Sequence, residues 1–134
     1  MSMNIVLVGS ISSHSKMLEL QQKLGAKGAV VTMPDDDGSI QPDVVRGYNV
    51  AALDRAKAAD VMLVVNEKKH DIEGYVGPNS LMEIGMAFAL NKPVYLLHEP
   101  SPEFSAHSEL KALADGVVGS DIERWLSNLG GIDE

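Results

Sequence analysis

Two kinds of apolar spacing alternate along this chain. Short unbroken runs rich in Val, Ile and Leu have the pattern of strands buried on both faces, and longer stretches with apolar residues three or four apart have the pattern of amphipathic helices. Asn4 to Val8 is the first strand, closed by Gly9-Ser10-Ile11-Ser12-Ser13, after which Ser15 to Lys27 carries Met17, Leu20 and Leu24 at helical spacing. Ala29 to Thr32 follows as a second strand, and Met33 to Ser39 is a turn-rich polar loop.

Pro42 to Ala59 predicts a helix whose inner side is Val44, Val45, Tyr48, Ala51, Ala52 and Leu53. Asp60 ends it, and Val61 to Val65 is the clearest central strand. A polar connection from Asn66 to Gly77 leads to an apolar helix ending near Asn91-Lys92-Pro93, then to a strand over Val94 to Leu97 and a loop with His98, Glu99, Pro100 and Pro102. A helix from Phe104 to Ala114, a small strand at Val117-Val118 and a helix from Ile122 to Leu129 complete the pattern, and the tail Gly130 to Glu134 reads as a frayed end. Strands alternating with helices imply a five-stranded parallel sheet with helices on both faces, a three-layer α/β domain. No internal repeat or linker divides residues 1–134.

Composition narrows what such a domain does. With 134 residues and 45% apolar content the chain supports one packed core. Eleven Lys and Arg against 19 Asp and Glu, a net charge of -8, argue against a protein that holds a nucleic acid polymer by its phosphates. There is no cysteine, which removes disulfides, thiolate catalysis and Cys-ligated zinc. The apolar run Ile5 to Val8 is too short for a signal or a membrane span, so the chain reads as cytoplasmic with no membrane partner.

In a doubly wound sheet the ligand crevice lies at the carboxyl ends of the strands, where strand order reverses. Three loops are expected to meet there: Gly9 to His14, Asn66 to Ser80, and His98 to Ser105. Gly9, Ser10 and Ile11 offer backbone donors and a hydroxyl at the start of a helix, which suit a phosphate or a sugar hydroxyl. Lys16 is the cation nearest to them in sequence, and Arg46, Lys68, Lys69 and Lys92 join only if folding brings them in. Among His14, His70, His98 and His107, only His98 falls at a strand's carboxyl end, within reach of a ligand. His70, Asp71, Glu73 and Asp35 to Asp37 match no metal-site spacing, and neither the dinucleotide glycine fingerprint nor the triphosphatase loop is present.

One acid stands apart from the rest. Glu83 is a lone carboxylate in the apolar helix Asn79-Ser80-Leu81-Met82-Glu83-Ile84-Gly85-Met86-Ala87-Phe88-Ala89, with Asn79 as the expected cap and Glu83 in the first turn. Tyr75, in the loop ahead of it, is placed to pack on a base or sugar, and Gly77 and Asn79 flank the helix start.

Gly9-Ser10, Ala59-Asp60-Val61, the Glu83-Ile84-Gly85 helix and Asn91-Lys92-Pro93-Val94 together resemble the nucleoside 2-deoxyribosyltransferase-like superfamily, which includes deoxynucleoside 5'-monophosphate N-glycosidases. The resemblance covers about the first three quarters of the chain. It implies a flavodoxin-like doubly wound domain, no cofactor, assembly as a homodimer or larger homo-oligomer, and Glu83 as the nucleophile that attacks C1' of a deoxyribosyl group. With the loop positions above, this makes Gly9, Ser10, Ile11, Asn66, Tyr75, Gly77, Asn79 and His98 the residues expected near a small nucleoside or nucleotide. The chain departs from the family at Asn66, where many relatives carry an acid, and at Gly77-Pro78-Asn79-Ser80, where many carry an Asp-x-Gly-Thr turn. An Asn cannot shuttle a proton as a carboxylate does, so a non-catalytic nucleotide-binding or sensor domain stands beside the enzyme as the alternative.

Overall fold

The computed structural model describes residues 2–35 and 37–129; the expectation for the tail 130–134 lies outside them. Strands β1 (Asn4–Val8), β2 (Val30–Thr32), β3 (Val61–Val64), β4 (Val94–Leu96) and β5 (Gly116–Val117) alternate with helices α1 (His14–Ala26), α2 (Pro42–Ala58), α3 (Pro78–Ala89), α4 (His107–Leu113) and α5 (Ile122–Leu129). All strand pairs are parallel, in the order β2-β1-β3-β4-β5. This is the flavodoxin-like order, whose reversal falls at β1, between β2 and β3.

Side chains of the central strands alternate between two cores. Ile5, Leu7, Val61 and Leu63 meet Met17, Leu20 and Leu24 of α1 and Ile122, Trp125 and Leu126 of α5. Val6, Val8, Met62, Val64, Val94 and Leu96 face the other way, onto Ala56 of α2, Ile84 and Ala87 of α3 and Leu110 of α4. Each fully buried Leu or Ile contributes about 2 kcal/mol of transfer free energy.

Three expectations are corrected. The inner side of α2 is alanine, at Ala52 and Ala56, whereas Val44 and Ala51 are exposed, because the inward stripe runs through Val45, Asn49, Ala52 and Ala56 at three- and four-residue spacing and they lie off it. Helix α3 begins at Pro78 with Gly77 as its extended N-cap, so Asn79 is inside the helix and Glu83 falls in its second turn. Proline fits this first helical position because its φ is already set and it has no N–H to leave unpaired. Helix α4 begins at His107, because turns closed by Phe104 N–H on Ser101 O and His107 N–H on Phe104 O occupy the residues before it.

At the amino edge, Asp60 does what its place before β3 suggests. Its carboxylate accepts from Asn4 N–H at 2.8 Å and its own N–H donates to Asn4 O at 2.7 Å, pinning the start of β1 to β3.

Candidate active site

The loops after β1 and β3 touch where the strand order reverses. A Cβ on Gly9 would lie 3.0 Å from Val65 O and 3.4 Å from Val65 Cβ, so any side chain there would push on the end of β3, and glycine fits without a shift. Ser10 is extended, and its Oγ lies 2.7 Å from Ser12 Oγ. The exposed Ile11 leans toward the loop after β2, where a Cβ on Gly38 would come within 3.0 Å of its Cδ1.

The loops after β3 and β4 are locked to each other. Asn66, 1% exposed, donates from Nδ2 to His98 O at 2.8 Å and to Gly74 O at 3.3 Å, while its Oδ1 accepts from His98 N–H at 2.9 Å. Ser101 N–H donates to Glu73 O at 2.9 Å. Gly74 has φ of 66°, and a Cβ there would fall 2.6 Å from Pro100 Cα, a contact no side chain tolerates. The Tyr75 ring is held edge-on by His70, with centroids 5.1 Å apart, and against Phe104 at 5.3 Å. His98 Nε2 lies 2.8 Å from Glu67 Oε2 on the outside of the same lock.

Glu83 opens elsewhere, into a cleft of about 220 Å³ between α2, α3 and the loop after β2. Asn79 and Glu83, four residues apart on one face of α3, form one wall; Tyr48, Asn49 and Arg55 of α2 form another, with Pro34 and Asp35 at the rim. Tyr48 Oη donates to Asp37 Oδ1 at 2.6 Å and accepts from Asp37 N–H at 3.3 Å, fastening the loop to α2. That hydroxyl and the Ser39 N–H hold the Asp37 carboxyl below its ordinary pKa.

The polar lining of the cleft is not saturated. Asn49 Nδ2 donates to Val45 O at 2.9 Å; since a carbonyl only accepts, the amide nitrogen must face it, and Oδ1 is left buried with no partner. Arg55 Nε is likewise buried without a partner. Buried polar groups in folded proteins are almost always paired, so each exception calls for an explanation, and a ligand is one.

The residues singled out in the sequence therefore separate. Glu83 and Asn79 line the cleft, Gly77 caps the helix that carries them, and Gly9, Ser10 and Ile11 lie on the loop after β1. Asn66, Tyr75 and His98 belong to the lock between the next two loops, and the side-chain amide of Asn66 is occupied by backbone groups. Lys16 pairs with Glu19 at 3.1 Å, and Lys68 pairs with Asp71 at 3.5 Å and Glu73 at 3.4 Å, which raises the Lys68 pKa, the Glu73 hydrogen bond contributing most. Among the described residues no three His, Asp or Glu side chains converge on a metal position, and no helix is long and apolar enough to cross a membrane. Asp35, Tyr48, Asn49 and Arg55 were not foreseen. For Asn49 and Arg55 the sequence signal is that polar residues interrupt the inner stripe of α2, and for Asp35 it is only a place in the polar loop after β2.

No protein-family model and no curated protein matches this chain. Solved structures do. The chain is similar to a CMP N-glycosidase from Clostridium botulinum, at a TM-score of 0.56 and 21% identity over 96% of this chain and 98% of that one. It is also similar to a 2-deoxyribosyltransferase from the psychrotolerant bacterium Bacillus psychrosaccharolyticus, at a TM-score of 0.67 and 14% identity over 97% and 94%. A flavoenzyme NAD(P)H:(acceptor) oxidoreductase from Paracoccus denitrificans matches at a TM-score of 0.50 and 17% identity over 92% and 77%. Identities this low speak for the fold, and the flavoenzyme is a reminder that one fold hosts several chemistries. The chain has the flavodoxin-like fold of the glycosidase and the deoxyribosyltransferase over nearly its full length.

Proposed function

We propose that this protein is an enzyme of the nucleoside 2-deoxyribosyltransferase-like superfamily that cleaves or transfers at the N-glycosidic bond of a deoxynucleoside or its 5'-monophosphate, with Glu83 as nucleophile. The observation that carries this reading is the position of Glu83: the carboxylate lines a cleft at the carboxyl edge, walled by α2 and α3, whose other polar groups include two that are buried and unpaired. Two of the solved structures on this fold are named for glycosidic chemistry, one acting on CMP and one transferring deoxyribosyl groups.

The chemistry follows from charge. As the bond from C1' to the base nitrogen lengthens, positive charge grows on the sugar, and an adjacent carboxylate first stabilises that charge and then traps C1' as a glycosyl ester. Water attacking the ester gives the free sugar and hydrolysis; a second base attacking it gives a new nucleoside. Asn79, one turn before Glu83, is placed to hydrogen-bond a sugar hydroxyl. The loop Gly9-Ser10-Ile11 borders the reversal point and is the place for the 5' end of the ligand.

The test is incubation of the unmodified protein and Glu83→Gln with deoxynucleosides and their 5'-monophosphates, with and without an acceptor base, followed by chromatography. Free base from the unmodified protein alone supports hydrolysis, and a new nucleoside only with acceptor supports transfer. Saturable binding without product would overturn the enzyme in favour of a nucleotide-binding domain. The one structural observation favouring that second reading is Asn66, which stands at a strand end where many relatives carry an acid and is occupied by backbone contacts.

A further inference from the structure

Departure of the base needs help that Glu83 cannot give. When the C1'–N bond breaks, the electron pair goes to the base, and an enzyme either protonates the base or stabilises its negative charge. On the locked side of the edge, Asn66 has no proton to transfer, and both of its Nδ2 protons are taken by backbone carbonyls. In the cleft itself, one permanently charged donor shares the lining with Glu83: Arg55, half-buried, with a buried Nε that has no partner and, among the described residues, no carboxylate within salt-bridge distance. The rest of this side chain is half-buried, but its buried Nε–H is an unmet donor, and such a donor is costly unless something completes it.

Resting on the glycosidic reading above, we propose that Arg55 is the residue that receives the leaving base: its guanidinium hydrogen-bonds a ring acceptor of the base and stabilises the anion formed as the C1'–N bond breaks. The Glu83 carboxylate oxygen bonds to C1', the bonding pair stays on the base nitrogen, and the anion is held by Arg55 until it takes a proton from water. Water then attacks C1', the ester bond to Glu83 breaks, and the proton released balances the one the base consumed. An Arg cannot lose its proton at neutral pH, so its action is electrostatic. A phosphate, negative before any bond breaks, is the poorer occupant of this position because Asp35 and ionised Glu83 line the same cleft, whereas the base gains its charge only as Glu83 is neutralised in the ester. The class of ligand group is thus a heterocycle with an acceptor atom near its glycosidic nitrogen. Asn49 Oδ1, buried and unpaired in the same lining, suits an N–H or amino group of that ring.

The experiment compares kcat and KM of the unmodified protein, Arg55→Met, Arg55→Lys and Asp35→Asn. The substrates are two deoxynucleosides of the base class it releases, one unsubstituted and one ring-fluorinated, the second carrying a base of nearly equal shape that leaves more easily as an anion. Arg55→Met should lower kcat about 100-fold on the unsubstituted substrate, the usual loss when one charge-stabilising donor is removed. It should lower kcat much less on the fluorinated substrate, and Arg55→Lys should recover part of the loss. Equal losses on both substrates, with a lowered thermal midpoint, would make Arg55 a packing residue and overturn the proposal. A loss that depends on the leaving group in Asp35→Asn but not in Arg55→Met would overturn it in favour of protonation by Asp35. Absence of free base from the unmodified protein would instead reject the glycosidic reading, and this inference with it.

Discussion

Two asparagines at the carboxyl edge of the sheet meet opposite fates. Asn66, at the end of β3, uses both ends of its amide on the backbone of the neighbouring loops. Asn49, on α2, bonds through Nδ2 to the preceding turn, and its Oδ1 stays buried and unpaired beside Arg55 and Glu83. A buried acceptor without a partner costs about 1–3 kcal/mol, as much as a good hydrogen bond contributes. One region of the fold is saturated and the other is left short, which is the contrast the proposed site rests on.

The strongest way to break this comparison is at Glu83. Glu83→Gln should lower turnover on the order of 10⁴-fold or more while moving the thermal midpoint by less than about 2 °C. Comparable activity in the variant would move the chemistry out of the cleft. Next in size is Asn66→Ala, which strips partners from His98 N–H and from the His98 and Gly74 carbonyls. Urea unfolding should show a loss of about 3 kcal/mol, and an unchanged midpoint would mean the lock carries no stability.

Asn49→Leu should do the reverse. Because it removes a polar atom that nothing satisfies, stability should hold or rise by up to about 1 kcal/mol, while nucleoside affinity measured by calorimetry falls. A large destabilisation would place Asn49 with Asn66 as a structural residue.

The smallest effect concerns the rim. The folded pKa of Asp37 is depressed, chiefly by the Tyr48 hydroxyl. Its stabilising contribution is therefore present above the unfolded value of 3.8 and lost as pH falls through the lower folded value. In Tyr48→Phe the carboxyl carbon of Asp37, followed by NMR, should titrate closer to 3.8, and an unmoved midpoint would show that Ser39 alone holds it.

Much of the architecture is legible in the sequence because buried strands and amphipathic helices have different periods. The bounds of β1 and α5 coincide with their apolar patterns, and β3 stops one residue short of its pattern. The start of α3 misleads, since Asn is a better N-cap than Gly by preference, yet Pro78 is confined to the first turn and draws the boundary back. Val44 and Ala51 of α2 mislead for another reason: the apolar spacing there fits two overlapping stripes, and only the one through Ala52 and Ala56 is buried. In the site, Glu83 is legible because a lone acid in an apolar helix is unusual. Arg55 and Asn49 are not, because they reach Glu83 across about thirty residues of chain and their unpaired atoms exist only once α2 is laid against α3.

The position of β1 has a bearing on how the molecule is made. The first strand lies inside the sheet, with Asn4 beside Val30 on one side and Ile5 beside Val61 on the other. As the chain is synthesised, β1 gains a partner for one edge when β2 follows it, but none for the second until β3, since Ile5 pairs with Val61. Until then an apolar strand with an open edge is exposed to other nascent chains. Closure over such sequence distances is slow compared with that of a helical bundle. Chaperone dependence, or aggregation of fragments that end before β3, is the expected signature of an internal strand whose second partner comes so much later in the chain.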